Sequence, residues 1–210
     1  MPCVLCLRRS PLARKGEASR ARILEEAHAQ ILSGGIASLS HERIARAAGL
    51  SKSAVYWHFP TKKALLEALV AEYVAHLRSE EARFEAPYLA MGFTDGEAIL
   101  PGMRDWYRSF AQNRRGWIGI GAEILSLGRT ERTLTEPVRA WYREIYERLG
   151  KTELDGLKAQ AAMMAFDGFF NAAKLSVSVF DAKRAGRVQN QILREVFADR
   201  PDLLKKIQFD

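Results

Sequence analysis

Apolar residues recur at spacings of three and four through most of this chain, the period of an amphipathic helix, and no run alternates with period two for long enough to be a strand. From Ser19 the pattern predicts a helix with Ile23, Leu24, Ala27, Ile31 and Leu32 on one face, ended by Ser33-Gly34-Gly35. Ser40 is a good N-cap residue for a short second helix presenting Ile44, Ala45 and Ala48, which Gly49 stops. Ser51 can cap a third helix of one or two turns, through Val55 to His58, and Pro60 closes it. Thr61 then caps a long helix bearing Leu65, Leu66, Leu69, Tyr73 and Leu77, and after Phe84 the chain is expected to loosen into a linker through Pro87, Gly92 and Gly96. Helical faces follow at Ile99, Met103, Trp106, Tyr107 and Phe110, at Trp117, Ile120, Ile124 and Leu127, and at Leu134, Val138, Trp141, Tyr142, Ile145 and Leu149. The stretch 154–180 is apolar nearly all round and is expected to be buried on more than one side. A last amphipathic helix carries Val188, Ile192, Leu193, Val196 and Phe197, so the expected fold class is all-α.

Charge sharpens this picture once it is located. The 210 residues carry a net charge of +7. Residues 1–63 hold 11 Lys or Arg against 4 Asp or Glu, whereas residues 64–210 hold 21 of each. A basic segment joined to a neutral remainder is the footprint of a polyanion-binding module attached to something else. Nearly half of the chain is apolar, enough for a real core, yet Asp167, Asn171 and Lys174 interrupt the most apolar run, 161–180, and argue against a membrane span. The N-terminal apolar patch is too short, and Arg8 and Arg9 lie on the wrong side of it, for a signal peptide, which places the chain in the cytoplasm. Cys3 and Cys6 form a lone C-x-x-C without the βα context or second ligand pair that redox or zinc chemistry needs. The pair reads as part of a leader and residues 1–18 as a flexible basic arm, whose Arg8, Arg9, Arg14 and Lys15, with Arg20 just beyond, either add phosphate or minor-groove contacts or belong to a tail without a role.

Three short helices with turns at 33–35 and 49–50, inside the basic segment, have the layout of a helix-turn-helix. Gly49 permits the tight turn that lets the second helix brace the third against the major groove. The third helix then offers Ser51, Lys52, Ser53, Tyr56 and His58 to phosphates and base edges, while Ser40 and Arg43 stand at the start of the second. The stretch Ile44-Ala-Arg-Ala-Ala-Gly-Leu-Ser-Lys-Ser-Ala-Val-Tyr-Trp-His-Phe-Pro-Thr-Lys-Lys-Ala-Leu-Leu, with Arg22-Ile-Leu-Glu-Glu-Ala and Gly35-Ile-Ala-Ser-Leu-Ser before it, resembles the DNA-binding signature of the tetracycline-repressor (TetR/AcrR) family over residues 19–77. The resemblance implies that Tyr56 and His58 contact phosphates or the groove, that Lys62 clamps the backbone, and that Ser51, Lys52, Ser53 and Ala54 read bases or adjoin them. Ser53 stands where glycine is frequent, and Ala54 has only a methyl group to offer a thymine. Trp57 belongs to the same set, although its indole reads first as a brace for the helix and second as a phosphate contact.

For the rest of the chain, aromatic stripes at helical spacing read first as core. The family resemblance adds a ligand chamber among the central helices, for which Trp106, Tyr107, Phe110, Trp117, Ile120, Glu123, Ile124, Tyr142, Tyr146, Phe166 and Phe170 are the expected lining. Glu123 and Asp167 face either solvent or a ligand. The implied partners are double-stranded operator DNA, a small apolar or aromatic effector, and a second copy of the chain joined through the last two long helices, about 154–180 and 186–198, where Ala161, Ala162, Ala165, Gly168, Ala172 and Ala173 permit close approach. The expected organisation is an arm (1–18), a helix-turn-helix domain (19–63) and a helical ligand-binding and dimerisation domain (64–210) entered by a connecting helix (64–84).

No enzyme is expected. His41-Glu42 begins like a zinc-binding H-E-x-x-H, but position 45 is alanine. Gly119-Ile-Gly121 follows no strand, and the four histidines (His28, His41, His58 and His76) are scattered, so neither a catalytic set, a metal nor a cofactor is predicted. The competing reading from another class is a DNA-binding dimer whose C-terminal domain is a solid bundle with no small-molecule effector.

Overall fold

The computed structural model describes residues 11–112, 117–128 and 130–209. Among them run ten α-helices: α1 (Pro11–Gly34), α2 (His41–Ala47), α3 (Lys52–His58), α4 (Lys62–Ala90), α5 (Ile99–Gln112), α6 (Trp117–Leu127), α7 (Glu136–Leu149), α8 (Gly156–Lys174), α9 (Ala182–Val196) and α10 (Pro201–Leu204). A 3-10 turn, Ile36–Ser38, lies between α1 and α2. Internal contacts divide the chain into two units, the first ending at Leu69 and the second beginning at Val70, so the division falls inside α4.

The first unit closes over Ile23, Leu24, Ile31, Ile44, Val55 and Leu65, all fully buried. Its turns are held by local chemistry. Ser51 Oγ accepts from the Ala54 N–H at 3.1 Å and caps α3, and Thr61 Oγ1 accepts from the Ala64 N–H at 3.0 Å at the start of α4. Gly49 sits at φ 61, in the left-handed region where glycine is favoured, and the Arg22 guanidinium donates to the preceding Ala48 carbonyl. α1 begins at Pro11, well before the apolar pattern does, so residues 11–18 are helical and not a flexible arm. Proline is tolerated in a first turn, and the alanine, arginine, lysine and glutamate that follow are mostly strong helix formers. Lys15, Glu17 and Ala18 are exposed, which is why no apolar period marks this stretch. Cys3, Cys6, Arg8, Arg9 and the side chain of Arg14 lie outside the described residues.

In the second unit α8 packs against α5, α6, α7 and α9. α4 passes through Pro87 to Ala90, where a linker was expected. Tertiary bonds hold that last turn: Tyr88 donates to Asp105 Oδ2 at 2.5 Å and accepts from Arg104 at 2.9 Å, while Arg148 donates to buried Glu85 at 2.5 Å. These anchors outweigh the lost backbone bond. The stretch 154–180 also departs from expectation. α8 ends at Lys174, Ser176 takes φ 57, and Met164 (68% exposed) and Val179 (88%) face outward rather than being buried on several sides. One apolar face of this stretch has no cover among the described residues. α9 starts at Ala182, four residues earlier than predicted, because the Asp181 carboxylate accepts from the Arg184 N–H at 2.6 Å and caps it there.

Candidate nucleic-acid interface and interior cavity

The seven residues of α3 alternate between core and surface. Val55 is fully buried and anchors the helix, whereas Ser51, Lys52, Ser53, Tyr56 and Trp57 are exposed and Ala54 and His58 partly so. The Tyr56 ring stacks on His41 of α2, with centroids 4.7 Å apart and planes within 6°. His41 is itself fixed, since its Nε2 lies 2.9 Å from the Phe59 carbonyl and must carry the proton of that bond. α2 thereby sets the direction of an exposed phenol on α3. The Lys52 ammonium donates to Glu42 Oε1 at 2.6 Å, a second side-chain link between the two helices. Ser40 Oγ accepts from the Arg43 N–H at 3.5 Å, and the Arg43 guanidinium reaches the Ser38 carbonyl at 3.4 Å. Lys62 and Lys63 are exposed at the start of α4. Trp57 is 76% exposed, so the expected brace is not made; its ring meets that of His58 at a near-perpendicular angle, with centroids 4.6 Å apart. The burial that holds α3 falls to Val55 and Phe59 instead.

Within the second unit, α4, α5, α7 and α8 enclose a cavity of about 210 Å³. Its aromatic wall is formed by Tyr73, Trp106, Phe110, Trp141, Tyr142 and Phe170. Trp106 meets Phe170 edge-on at 5.2 Å and Trp141 at 6.5 Å, so the rings brace one another. Leu77 and Met103 add aliphatic surface. Polar groups converge on one side: Tyr142 Oη donates to Asp167 Oδ1 at 3.2 Å, and the Lys174 ammonium donates to Tyr73 Oη at 3.3 Å. Burial pushes the Asp167 carboxyl up to about 6, and burial together with the nearby Asp167 charge raises both tyrosine phenols. Burial lowers the pKa of Lys174, which Asp167 opposes. His76, Glu80, Arg83 and Ser109 complete the lining. Glu80 pairs with Arg83 at 3.1 Å, and burial holds His76 below its usual value. Behind the wall, the Trp141 indole N–H donates to Glu81 Oε2 at 2.6 Å, and Glu81 also receives Arg148.

This architecture agrees with the comparisons. The family model "Bacterial regulatory proteins, tetR family" matches residues 23–69, and "Tetracyclin repressor-like, C-terminal domain" matches residues 119–196. The chain belongs to the TetR family. It is a DNA-binding transcriptional regulator, in a family of regulators rather than of enzymes. The HTH-type transcriptional regulator BetI of Cronobacter sakazakii is 26% identical over 184 residues, which cover 85% of this chain and 91% of that relative. A TetR-family structure from Streptomyces coelicolor A3 superposes with a TM-score of 0.65 at 22% identity, covering 83% of this chain and 97% of that one. The multidrug binding protein EbrR complexed with malachite green gives 0.64 at 23%, covering 82% and 96%.

The TetR fold thus brings together four of the predicted cavity residues: Trp106, Phe110, Tyr142 and Phe170. Others lie elsewhere. Tyr107 packs behind Phe170 at 5.3 Å, Phe166 is fully buried beside Phe169, and Ile120 and Ile124 are buried on α6. Glu123 is half-buried on the same helix, and Tyr146 stands near enough to Asp167 for that charge, after burial, to raise its phenol. The side chain of Trp117 lies outside the described residues. Tyr73, His76, Glu80, Arg83 and Lys174 line the cavity without having been predicted. A signal existed: Asp167 and Lys174 stand seven positions apart in an otherwise apolar run, hence on one side of a helix. Among the described residues no group of three or more His, Cys, Asp and Glu could hold a metal, and no helix is long and apolar enough to cross a membrane.

Proposed function

We propose that this regulator is a homodimeric repressor that leaves a palindromic operator when a small apolar or aromatic molecule occupies the cavity of its second unit. The observation that carries this reading is the wall contributed by α4. The helix that begins at Lys62 also presents Tyr73, His76, Leu77, Glu80 and Arg83 to the cavity. A ligand there pushes on the helix that starts beside the predicted DNA contacts. Ser51, Lys52, Ser53 and Ala54 take the base-reading positions, while Ser40, Arg43, Tyr56, Trp57, His58 and Lys62 hold phosphates and groove walls. The exposure of Lys52, Tyr56, Trp57 and Lys62 supports these assignments. An apolar groove between α8 and α9, lined by Ala161, Ala162, Ala165, Val188 and Ile192, supports a four-helix interface with a second copy. Two recognition helices roughly 34–36 Å apart would then meet successive major-groove faces. The ligand acts only through its different affinity for the two states, and a coupling of about 1–3 kcal/mol changes operator affinity by roughly 5- to 150-fold.

The test is selection of bound fragments from the host genome, followed by footprinting at defined salt. A palindromic footprint as wide as two half-sites is expected. Binding without sequence preference would overturn the operator reading and favour an architectural DNA-binding dimer with no effector.

A further inference from the structure

The charges around the cavity decide what kind of molecule it can hold. Asp167 is negative and Lys174 positive, and each already has a tyrosine partner, at 3.2 and 3.3 Å. Glu80 and Arg83 neutralise each other at 3.1 Å. Burial keeps His76 below its usual value, so it is uncharged at neutral pH, and the phenols of Tyr73 and Tyr142 are uncharged as well. The lining therefore sums to zero while presenting both an acceptor and a donor. Asp167 and Lys174 line one cavity and each acts on the other's ionisation, so a lipophilic cation that meets Asp167 also feels Lys174, and a lipophilic anion has the reverse difficulty with Asp167. Either leaves one buried charge without compensation. A hydroxyl adds no charge, donates to the carboxylate and accepts from the ammonium or a tyrosine. Most of the remaining surface comes from the rings of Trp106, Phe110, Trp141 and Phe170, with Leu77 and Met103 beside them, which favours a flat apolar body.

We propose that the ligand of this cavity is an uncharged aromatic molecule with a hydroxyl head group, which lodges its ring among Trp106, Phe110, Trp141 and Phe170 and bridges Asp167 and Lys174 with its hydroxyl. This deepens the effector reading above and rests on it. Four probes with one ring frame test it by calorimetry at pH 7: 2-naphthol, naphthalene, 2-naphthoate and 2-naphthyl-trimethylammonium. The full-length protein binds 2-naphthol tightest and both charged probes weaker by about tenfold or more, the order expected when a buried charge is left unmatched. The variants then reverse the preference in opposite senses. Asp167→Asn leaves Lys174 alone and favours 2-naphthoate, whereas Lys174→Met leaves Asp167 alone and favours the ammonium probe. The double variant, neutral again, returns 2-naphthol to first place. A charged probe that binds the parent protein tightest, or variants that leave the order unchanged, overturns the inference. Operator release, measured in the same samples, separates it from the effector reading. Naphthol binding with the predicted reversals but unchanged operator affinity upholds the ligand class and sinks the effector role. Release driven by a charged probe does the opposite, and no binding by any probe sinks both.

Discussion

Around α2 and α3 several polar side chains are held by local contacts: Ser51 caps α3, Lys52 meets Glu42, and His41 stacks on Tyr56 and holds the Phe59 carbonyl. In the second unit the important polar groups are instead bonded across the fold, over separations of 25 to 101 residues: Tyr142 to Asp167, Trp141 to Glu81, Lys174 to Tyr73. The first arrangement holds the Tyr56 phenol in a fixed direction on an exposed surface, while Lys52 rests on Glu42. The second keeps a carboxylate and an ammonium partly desolvated beside a cavity, where a small molecule can replace part of what burial took away. Such a division between a locally fixed surface and a cavity-lining polar set is what the proposed switch would need.

That contrast can be broken or sharpened by substitution. The largest effect is expected at Gly96, where an added Cβ would lie 2.4 Å from the Arg148 carbonyl oxygen. Gly96→Ala should cost the second unit about 3 kcal/mol, since backbone cannot yield as a side-chain tip can. At roughly 2–4 °C per kcal/mol for a chain of this size, thermal melting should fall by several degrees; an unchanged melt would show a second unit more forgiving than its packing implies. Next is Asp167→Asn. The folded carboxyl, raised to about 6 from 3.8, burdens the native state as pH climbs from about 4, with the full burden reached above 6. The variant's stability advantage should therefore open from little near pH 4 to about 3 kcal/mol by pH 7, read from denaturant midpoints. A gap that is constant with pH would mean that Asp167 is as well solvated as a surface group.

In the first unit, Tyr56→Ala or Lys62→Ala should weaken binding to every DNA sequence and flatten its salt dependence by about one unit per lost phosphate contact. Lys52→Ala should instead change which operator is preferred, by about 1–3 kcal/mol at one base pair. Equal losses on all sequences for Lys52→Ala would put it on the backbone. The smallest change is Ser51→Ala, which removes the α3 cap for about 1 kcal/mol of stability. A melt lowered well beyond that would mean that capping dominates this unit, whereas no change would leave Val55 and Phe59 as its sole anchors.

The same contrast explains what could be read from the amino-acid order. Ser40, Gly49, Ser51 and Thr61 act on backbone a few residues away, so type and spacing alone placed α2, α3 and the start of α4. The cavity depends on which faces of four distant helices meet. Periodicity marked Trp106 and Phe170 as apolar-face residues but equally marked Phe166 and Ile124, which became core. Lys174 read as an interruption in an apolar run because its partner, Tyr73, lies 101 residues away. The start of α1 and the end of α4 were missed for opposite reasons. Residues 11–18 are helical by propensity, with Lys15, Glu17 and Ala18 exposed, and the turn after Pro87 is held by Asp105, Arg104 and Arg148, which no local pattern announces.

The tryptophans have a spectroscopic consequence. Trp57 stands almost fully in solvent on the first unit, while Trp106 and Trp141 are buried at the cavity wall of the second. Indole emission shifts to the red in water and to the blue in an apolar enclosure. Among the tryptophans whose side chains are described, the one on the first unit and the two on the second therefore differ in colour. If DNA covers Trp57 and a ligand fills the cavity beside Trp106 and Trp141, as proposed, the two events would move different parts of the emission band without any attached dye.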